Sequence, residues 1–356
     1  MLGQKLLLLA SAIVATVADA ALPVFFFHGA TGNHTNGDNI GKQLRAAGHT
    51  YVPLDFCEVA CSVETALNDQ VQLAIKQIRG IIAKSPATYA NGYHLLAHSQ
   101  GGVIARGVAE EMDDHAIHSL VALAGDGYGN FYGPQASDLG APLQVLFQAL
   151  GPFVMPDTVF NFTKYQVDPT TYNGKFQLDF TKFVLSHPEL QKNNTVLNSW
   201  FPPVRNSATN FLTVNPFYPE INNLQVCGAD ATCTKNQRRR KNNFLRLKAL
   251  HLFASPGDDI QSPWQTSLLT KYSELASVDD IETQFSTLKV LDTRETEEYK
   301  SDLFGLQSLD KSGRLFLHVV PDIGHDCWLF DYVPLAQTKE CKFEPNYLAN
   351  VAPVFV

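Results

Sequence analysis

The chain has 356 residues, 45% of them hydrophobic and 17% charged, with a formal net charge of −8 at pH 7. That is enough apolar material for one large core or two modest ones. An acidic balance of this kind argues against nucleic acid as the main partner.

The chain opens with "MLGQKLLLLASAIVATVADA". A lysine near the start, a short apolar run and the small-x-small triplet Ala18-Asp19-Ala20 read as a secretory signal peptide cut after Ala20, rather than an uncleaved anchor. No later segment is apolar for long enough to suggest a transmembrane anchor. "LPVFFFHG" follows, a continuous apolar run ending in a glycine turn, and predicts a buried strand. "HTYVPLD" predicts a second. Ser62 stands where it can cap a helix, because Ala66, Leu67, Val71, Ala74, Ile75, Ile78, Ile81 and Ile82 follow helical spacing. "GYHLLAH" predicts the next strand, "GGVIARGVAEEM" the next helix and "SLVALAG" another strand. This alternation implies an α/β protein with a parallel sheet covered on both faces.

From about Tyr128 to Gln225 the periodicity breaks down. Eleven of the 23 Phe lie between Phe131 and Phe217, so large apolar rings concentrate here. Regular structure resumes with "LKALHLFAS", a helix expected around Trp264 to Leu275, and the strand "RLFLHVV". One sheet therefore brackets an insertion. The run "RRRK" at 238–241 reads as a solvated helix face.

The six cysteines fit an oxidising compartment. Near-neighbour pairing is the simplest arrangement: Cys57 with Cys61, Cys227 with Cys233, and Cys327 with Cys341. No CxxC pair or HExxH pattern points to a metal. Asn33, Asn161 and Asn193 each open a glycosylation sequon.

The chemistry concentrates at Ala97-His98-Ser99-Gln100-Gly101, between a predicted strand and a predicted helix. A serine at such a turn, flanked by small residues, is lifted above the sheet edge as a nucleophile. Here Ala97 stands where the usual G-x-S-x-G signature has its first glycine. The serine needs a base, and the base needs an orienting carboxylate, in the chain order Ser, Asp or Glu, His. His325 lies in the loop just past the last strand and is the candidate base. His318 lies inside that strand and reads as core. Strand alternation turns His98 away from its neighbour Ser99. For the acid, "HLFASPGDDI" offers Asp258 and Asp259 and "ALAGDG" offers Asp126, all at strand ends. Context favours the pair over Asp126 without separating its members. For the oxyanion, Gln100 supplies one backbone N–H at a helix N-terminus, and Ala30 in "HGATG" is the candidate for the second.

Together, "LPVFFFHGATG", "HSQGG", "RRKNNFLRLKALHLFASPGDDIQSPWQTS" and "RLFLHVVPDIGH" resemble the palmitoyl-protein thioesterase family. These are lysosomal α/β-hydrolases that remove fatty acyl groups from cysteine thioesters. The resemblance selects Asp258 over Asp259, because Asp258 stands five residues before Pro263, as the family's acid does. "PGDDIQSPWQTS" and the late cysteine pair look closer to the second branch of the family, which handles acyl-CoA more readily. It implies an α/β-hydrolase fold: a mostly parallel central sheet flanked by helices, in one domain over 21–356, with a lipid-binding cap inserted at about 136–225. It further implies a fatty-acyl thioester substrate (an S-acylated peptide or acyl-CoA), a lysosomal, vacuolar or extracellular location, and no metal or organic cofactor. The competing expectations are a lipase or carboxylesterase acting on oxygen esters, and an inactive hydrolase homologue that binds lipid.

Overall fold

A computed structural model describes residues 21–135, 158–161, 165, 174–334 and 340–355. The expected signal peptide, 1–20, and the first part of the expected insertion, 136–157, lie outside the described residues. Six apolar segments form strands: β1 (Val24–Phe27), β2 (Tyr51–Pro53), β3 (Tyr93–His98), β4 (Ile117–Leu123), β5 (Ala249–Ala254) and β6 (Leu315–Val319). They make one parallel sheet in the order β2-β1-β3-β4-β5-β6. Every residue of β1 and β3 is buried, as their uninterrupted apolar runs require of strands covered on both faces. The pleat of β1 sends Phe25 and Phe27 into one core and Val24 and Phe26 into the other.

Helices Leu67–Lys84 and Gln100–Glu111 cover the first face. The predicted stripe is there: Leu67, Val71, Ala74, Ile75 and Ile78 are buried. Ile40 and Leu44 of helix Asp38–Ala46, with Trp328, Phe343 and Tyr347, cover the second. The sheet is thus an α/β-hydrolase sheet flanked by helices. Among the described residues no helix is long and apolar enough to cross a membrane.

Four expectations are corrected. Ser62 is not a helix cap. The long helix starts at Leu67 with Ala66 before it, and Ser62 lies in a separate turn, Cys61–Glu64, where its hydroxyl donates to the Val59 carbonyl at 2.6 Å. The helix expected around Trp264 to Leu275 is only a 3-10 turn, Trp264–Leu268, ended by Leu269 at φ 58°. Its polar groups bond outward instead: Thr266 Oγ1 donates to the Gly129 carbonyl at 2.7 Å, and Thr293 Oγ1 to the Leu268 carbonyl at 2.8 Å. The basic run does lie on a helix, Ala231–Phe244, but only Arg238 is exposed as a solvated face requires; the next three residues are engaged. This helix packs on Gln100–Glu111, whose acidic end it meets. Arg240 is buried and donates to Glu220 at 2.8 Å, Arg239 pairs with Glu111 and Asp113, and Lys241 pairs with Asp302. His318 is half-buried rather than core, because β6 is an edge strand with a single neighbour; its ring stacks on Phe253 at 4.1 Å.

β4 and β5 are adjacent although residues 124–248 intervene between them. In that stretch some aromatic rings, Phe201, Phe211 and Phe217 among them, join the first core, and others gather into a cluster of their own. Phe131, Phe160, Phe176, Phe180 and Trp200 pack together, with Trp200 edge-on to Phe180 at 4.6 Å. Cys57–Cys61, Cys227–Cys233 and Cys327–Cys341 are disulfide-bonded, the near-neighbour pairing, with Cα separations of 5.1, 5.4 and 6.0 Å.

Candidate active site

β3 delivers its last residue, His98, to the carboxyl edge of the sheet, and the chain turns at once into helix Gln100–Glu111. Ser99 makes that turn at φ 55°, a conformation an L-residue adopts at a cost of about 1–3 kcal/mol. Two glycines make the turn possible. A Cβ on Gly101 would lie 2.6 Å from the carbonyl oxygens of Phe27 and His28, and one on Gly29 would lie 2.9 Å from the Ser99 Cβ. Helix, first strand and serine loop therefore approach closer than any other residue allows.

The loops after β5 and β6 meet this serine. Ser99 Oγ lies 2.9 Å from His325 Nε2, and His325 Nδ1 lies 3.0 Å from both oxygens of Asp258. Asp258 Oδ1 also accepts the N–H groups of Ile260 and Gln261, each at 2.9 Å, so the carboxylate is fixed from both sides. Ser99, His325 and Asp258 are all buried. Burial alone would lower the pKa of His325, but the charge and hydrogen bond of Asp258 overcome it and push the imidazole up to about 9.

Sequence reasoning treated Asp258 and Asp259 as alternatives for one role. The structure gives each a partner. Asp258 takes the ring of His325, whereas Asp259 accepts the His325 backbone N–H at 3.0 Å and the Tyr332 hydroxyl at 2.8 Å. The His98 ring lies against that of His325, with centroids 4.8 Å apart. It serves the site, because its Nε2 donates to the His325 carbonyl at 2.9 Å. Burial, and then the neighbouring His325, push His98 down to about 4. Asp259, His98 and Tyr332 thus hold the His325 backbone and loop, a role that leaves no trace in periodicity. Asp126 sits elsewhere on the same rim. It accepts from Asn130 Nδ2 at 3.1 Å, and burial pushes it up to about 6.

A cleft of about 120 Å³ opens over Ser99. Ala30, Thr31 and Gln100 line it beside the serine, and Val63, Tyr132, Val196, Trp200 and Ile260 give it apolar walls; Asp126, Asn130, Thr195, Ser199 and Gln261 add polar ones. The Gln100 N–H opens a helix and has no partner within it. The Ala30 N–H makes no loop hydrogen bond among the described residues. Both residues expected to supply oxyanion donors thus line the cleft. Among the described residues, the cluster with metal-ligand potential is His98, His325 and Asp326, with donor atoms within 4.8 Å of one another. Both ring nitrogens of His325 already face Asp258 and Ser99, so a cation there would have to break that chain. Of the sequon asparagines, Asn161 and Asn193 are exposed. Asn33 is half-buried, and its Oδ1 accepts from the Thr35 N–H at 2.8 Å.

A family model described as palmitoyl protein thioesterase matches residues 23–325, from β1 to the candidate base. The chain belongs to that family. Similar relatives include the lysosomal thioesterase PPT2-B of Xenopus laevis, 28% identical over 86% of this chain and 87% of its own. The lysosomal thioesterase PPT2 of Homo sapiens is 25% identical over 73% and 67% of the two chains. Palmitoyl-protein thioesterase 3 of Dictyostelium discoideum is 23% identical over 93% and 94%. The protein is accordingly a hydrolase of the palmitoyl-protein thioesterase type.

Proposed function

We propose that this thioesterase cleaves fatty-acyl thioesters, of S-acylated peptides or of coenzyme A, through an acyl-enzyme on Ser99. The observation that carries the reading is the hydrogen-bonded series Ser99 Oγ, His325 Nε2, His325 Nδ1, Asp258, at 2.9 and 3.0 Å. In this reading His325 takes the Ser99 proton as the oxygen attacks the acyl carbonyl, and Asp258 stabilises the imidazolium. The N–H groups of Ala30 and Gln100 receive the oxyanion, where one such donor is worth roughly 10²–10³ in rate. His325 then protonates the departing sulfur. A thiol with a pKa near about 8.5 leaves readily, so little is asked of that acid step. Water, activated by the same histidine, hydrolyses the acyl-enzyme and releases the fatty acid. The protein's own groups account for each step without a cofactor.

The walls supplied by Tyr132, Val196 and Trp200 suit an acyl chain, whose burial contributes about 0.8 kcal/mol per methylene. Thr195, Val196, Ser199 and Trp200 fall within the region 136–225, which we read as a lipid-binding insertion in a single hydrolase domain. The leader sequence, the three disulfides and the names of the relatives support a lysosomal location, reached through the secretory pathway. Treatment with a fluorophosphonate, followed by peptide mass spectrometry, tests the nucleophile. The expected adduct is on Ser99 and is missing from Ser99→Ala; an adduct on another serine, or none, would remove Ser99 from the mechanism.

A further inference from the structure

Ser62, which sequence spacing offered as a helix cap, is fully buried beside the cleft and makes bonds in two directions. Its Oγ accepts the N–H of Thr31 at 2.7 Å while donating to the Val59 carbonyl at 2.6 Å. Its own carbonyl accepts Gln100 Nε2 at 2.8 Å and Gln70 Nε2 at 2.9 Å. Gln100 Nε2 also reaches Gln70 Oε1, at 3.3 Å. Thr31 follows Ala30 in the chain, and Gln100 follows Ser99. One residue therefore bonds the backbone next to one expected donor and the side chain of the residue that carries the other.

We infer that Ser62 is the positioning residue of the oxyanion hole, holding the Ala30 side with its hydroxyl and the Gln100 side with its carbonyl. The inference rests on the assignment of those two N–H groups above. Three features make the grip rigid. The Cys57–Cys61 disulfide closes the turn that precedes Ser62. Within that turn the Val59 N–H donates to the Gly32 carbonyl at 2.8 Å, a second tie to the loop after β1. Glu58 Oε1 accepts the backbone N–H of His34 at 2.8 Å, a third. The hydroxyl also occupies the Thr31 N–H, so the neighbouring N–H of Ala30 is the one left to face the cleft. The same arrangement explains a glutamine after the nucleophile. Its backbone serves the oxyanion, while its side chain is held by Ser62 and Gln70 and cannot enter the cleft. A hole held in place before the reaction needs no reorganisation as charge develops, which is where its catalytic value lies.

Steady-state kinetics of Ser62→Ala test this on whichever ester the wild type cleaves, palmitoyl-CoA or 4-nitrophenyl butyrate. Misplacing one donor predicts a fall in kcat of about 10- to 100-fold, somewhat less than deleting it, with KM within about threefold. Ser62→Thr, which keeps a hydroxyl, restores most of kcat. Gln100→Met keeps the backbone donor but cuts the side-chain tie, and moves kcat in the same direction; it decides the matter if Ser62→Ala does not fold. Hydrogen exchange of peptides spanning 28–36 rises in Ser62→Ala at unchanged exchange of β4 and β5. An unchanged kcat, or a raised KM at unchanged kcat, overturns the inference while leaving the thioesterase reading intact. Preference of the wild type for the oxygen ester overturns the substrate reading instead, and the kcat ratio on that ester still supports or overturns the role of Ser62.

Discussion

Along the carboxyl rim of the sheet, Ser99, Asp258 and His325 are held by hydrogen bonds, many of them to backbone. Beside that rim, the side chains of Phe131, Phe160, Phe180 and Trp200 pack ring against ring. The two regions share one cleft, and they impose different requirements on it. The rim needs angles and distances correct to a fraction of an ångström, because proton transfer and oxyanion binding fail otherwise. The aromatic cluster needs only volume and apolar surface, and it can exchange one ring for another with modest loss. Rate should therefore live on the rim and acyl preference on the cluster.

The largest effect expected from breaking this division is on the rim. Asp258→Asn keeps the shape but removes the charge that favours the imidazolium, and kcat should fall by about 10⁴. The sign of the pH effect follows. In the wild type the carboxylate raises the pKa of His325, so the acid limb of kcat/KM lies above the ordinary imidazole value of 6.5. In Asp258→Asn that limb should move to lower pH, which rate profiles from pH 4 to 10 will detect. If the limb stays in place, the group titrating there is not His325 held by Asp258.

A smaller effect is expected from the cluster side. Val196→Phe places a ring in the cleft from the side of the insertion. Displacing two or three methylenes, at about 0.8 kcal/mol each, predicts a roughly 10- to 50-fold loss of kcat/KM on a palmitoyl thioester. A butyryl thioester should be cleaved within about threefold of the wild-type rate. Equal losses on both substrates would mean that Val196 supports the rim rather than the acyl chain.

The smallest effect concerns Asp126, where the two regions join. Burial raises its pKa to about 6, so the folded state holds its proton more tightly than the unfolded chain does, with an ordinary value of 3.8. The stability this contributes is present below pH 3.8 and is lost as pH rises through about 6. Asp126→Asn should therefore raise Tm by a few degrees at pH 7 and change it little at pH 4. Melts followed by circular dichroism at the two pH values check this.

The same contrast explains what the sequence made legible. "LPVFFFHG", "GYHLLAH" and "SLVALAG" announce buried parallel strands because nothing but a doubly covered sheet accommodates such runs. Ser99 and His325 are readable because an abrupt strand end and a loop histidine are local features. The roles of Asp258 and Asp259 are not local. Both follow β5, and only the approach of the β6 loop distinguishes the one that meets the ring from the one that meets the backbone. Arg240 looked solvated for a similar reason: its partner Glu220 lies on another segment. Ser62 had the spacing of a cap, but the loop after β1 claimed its hydroxyl first. These misreadings trace to hydrogen bonds or ion pairs between distant segments, and that of His318 to the edge position of β6, neither of which composition or period encodes.

We propose above that the rim acts on thioesters through Ser99. The most direct test is the rate of palmitoyl-CoA hydrolysis beside that of a matched palmitoyl oxygen ester, by the wild type and by Ser99→Ala. Thioester cleavage should dominate and should disappear in Ser99→Ala. Preferential cleavage of the oxygen ester, or thioester cleavage that survives the loss of Ser99, would contradict that proposal.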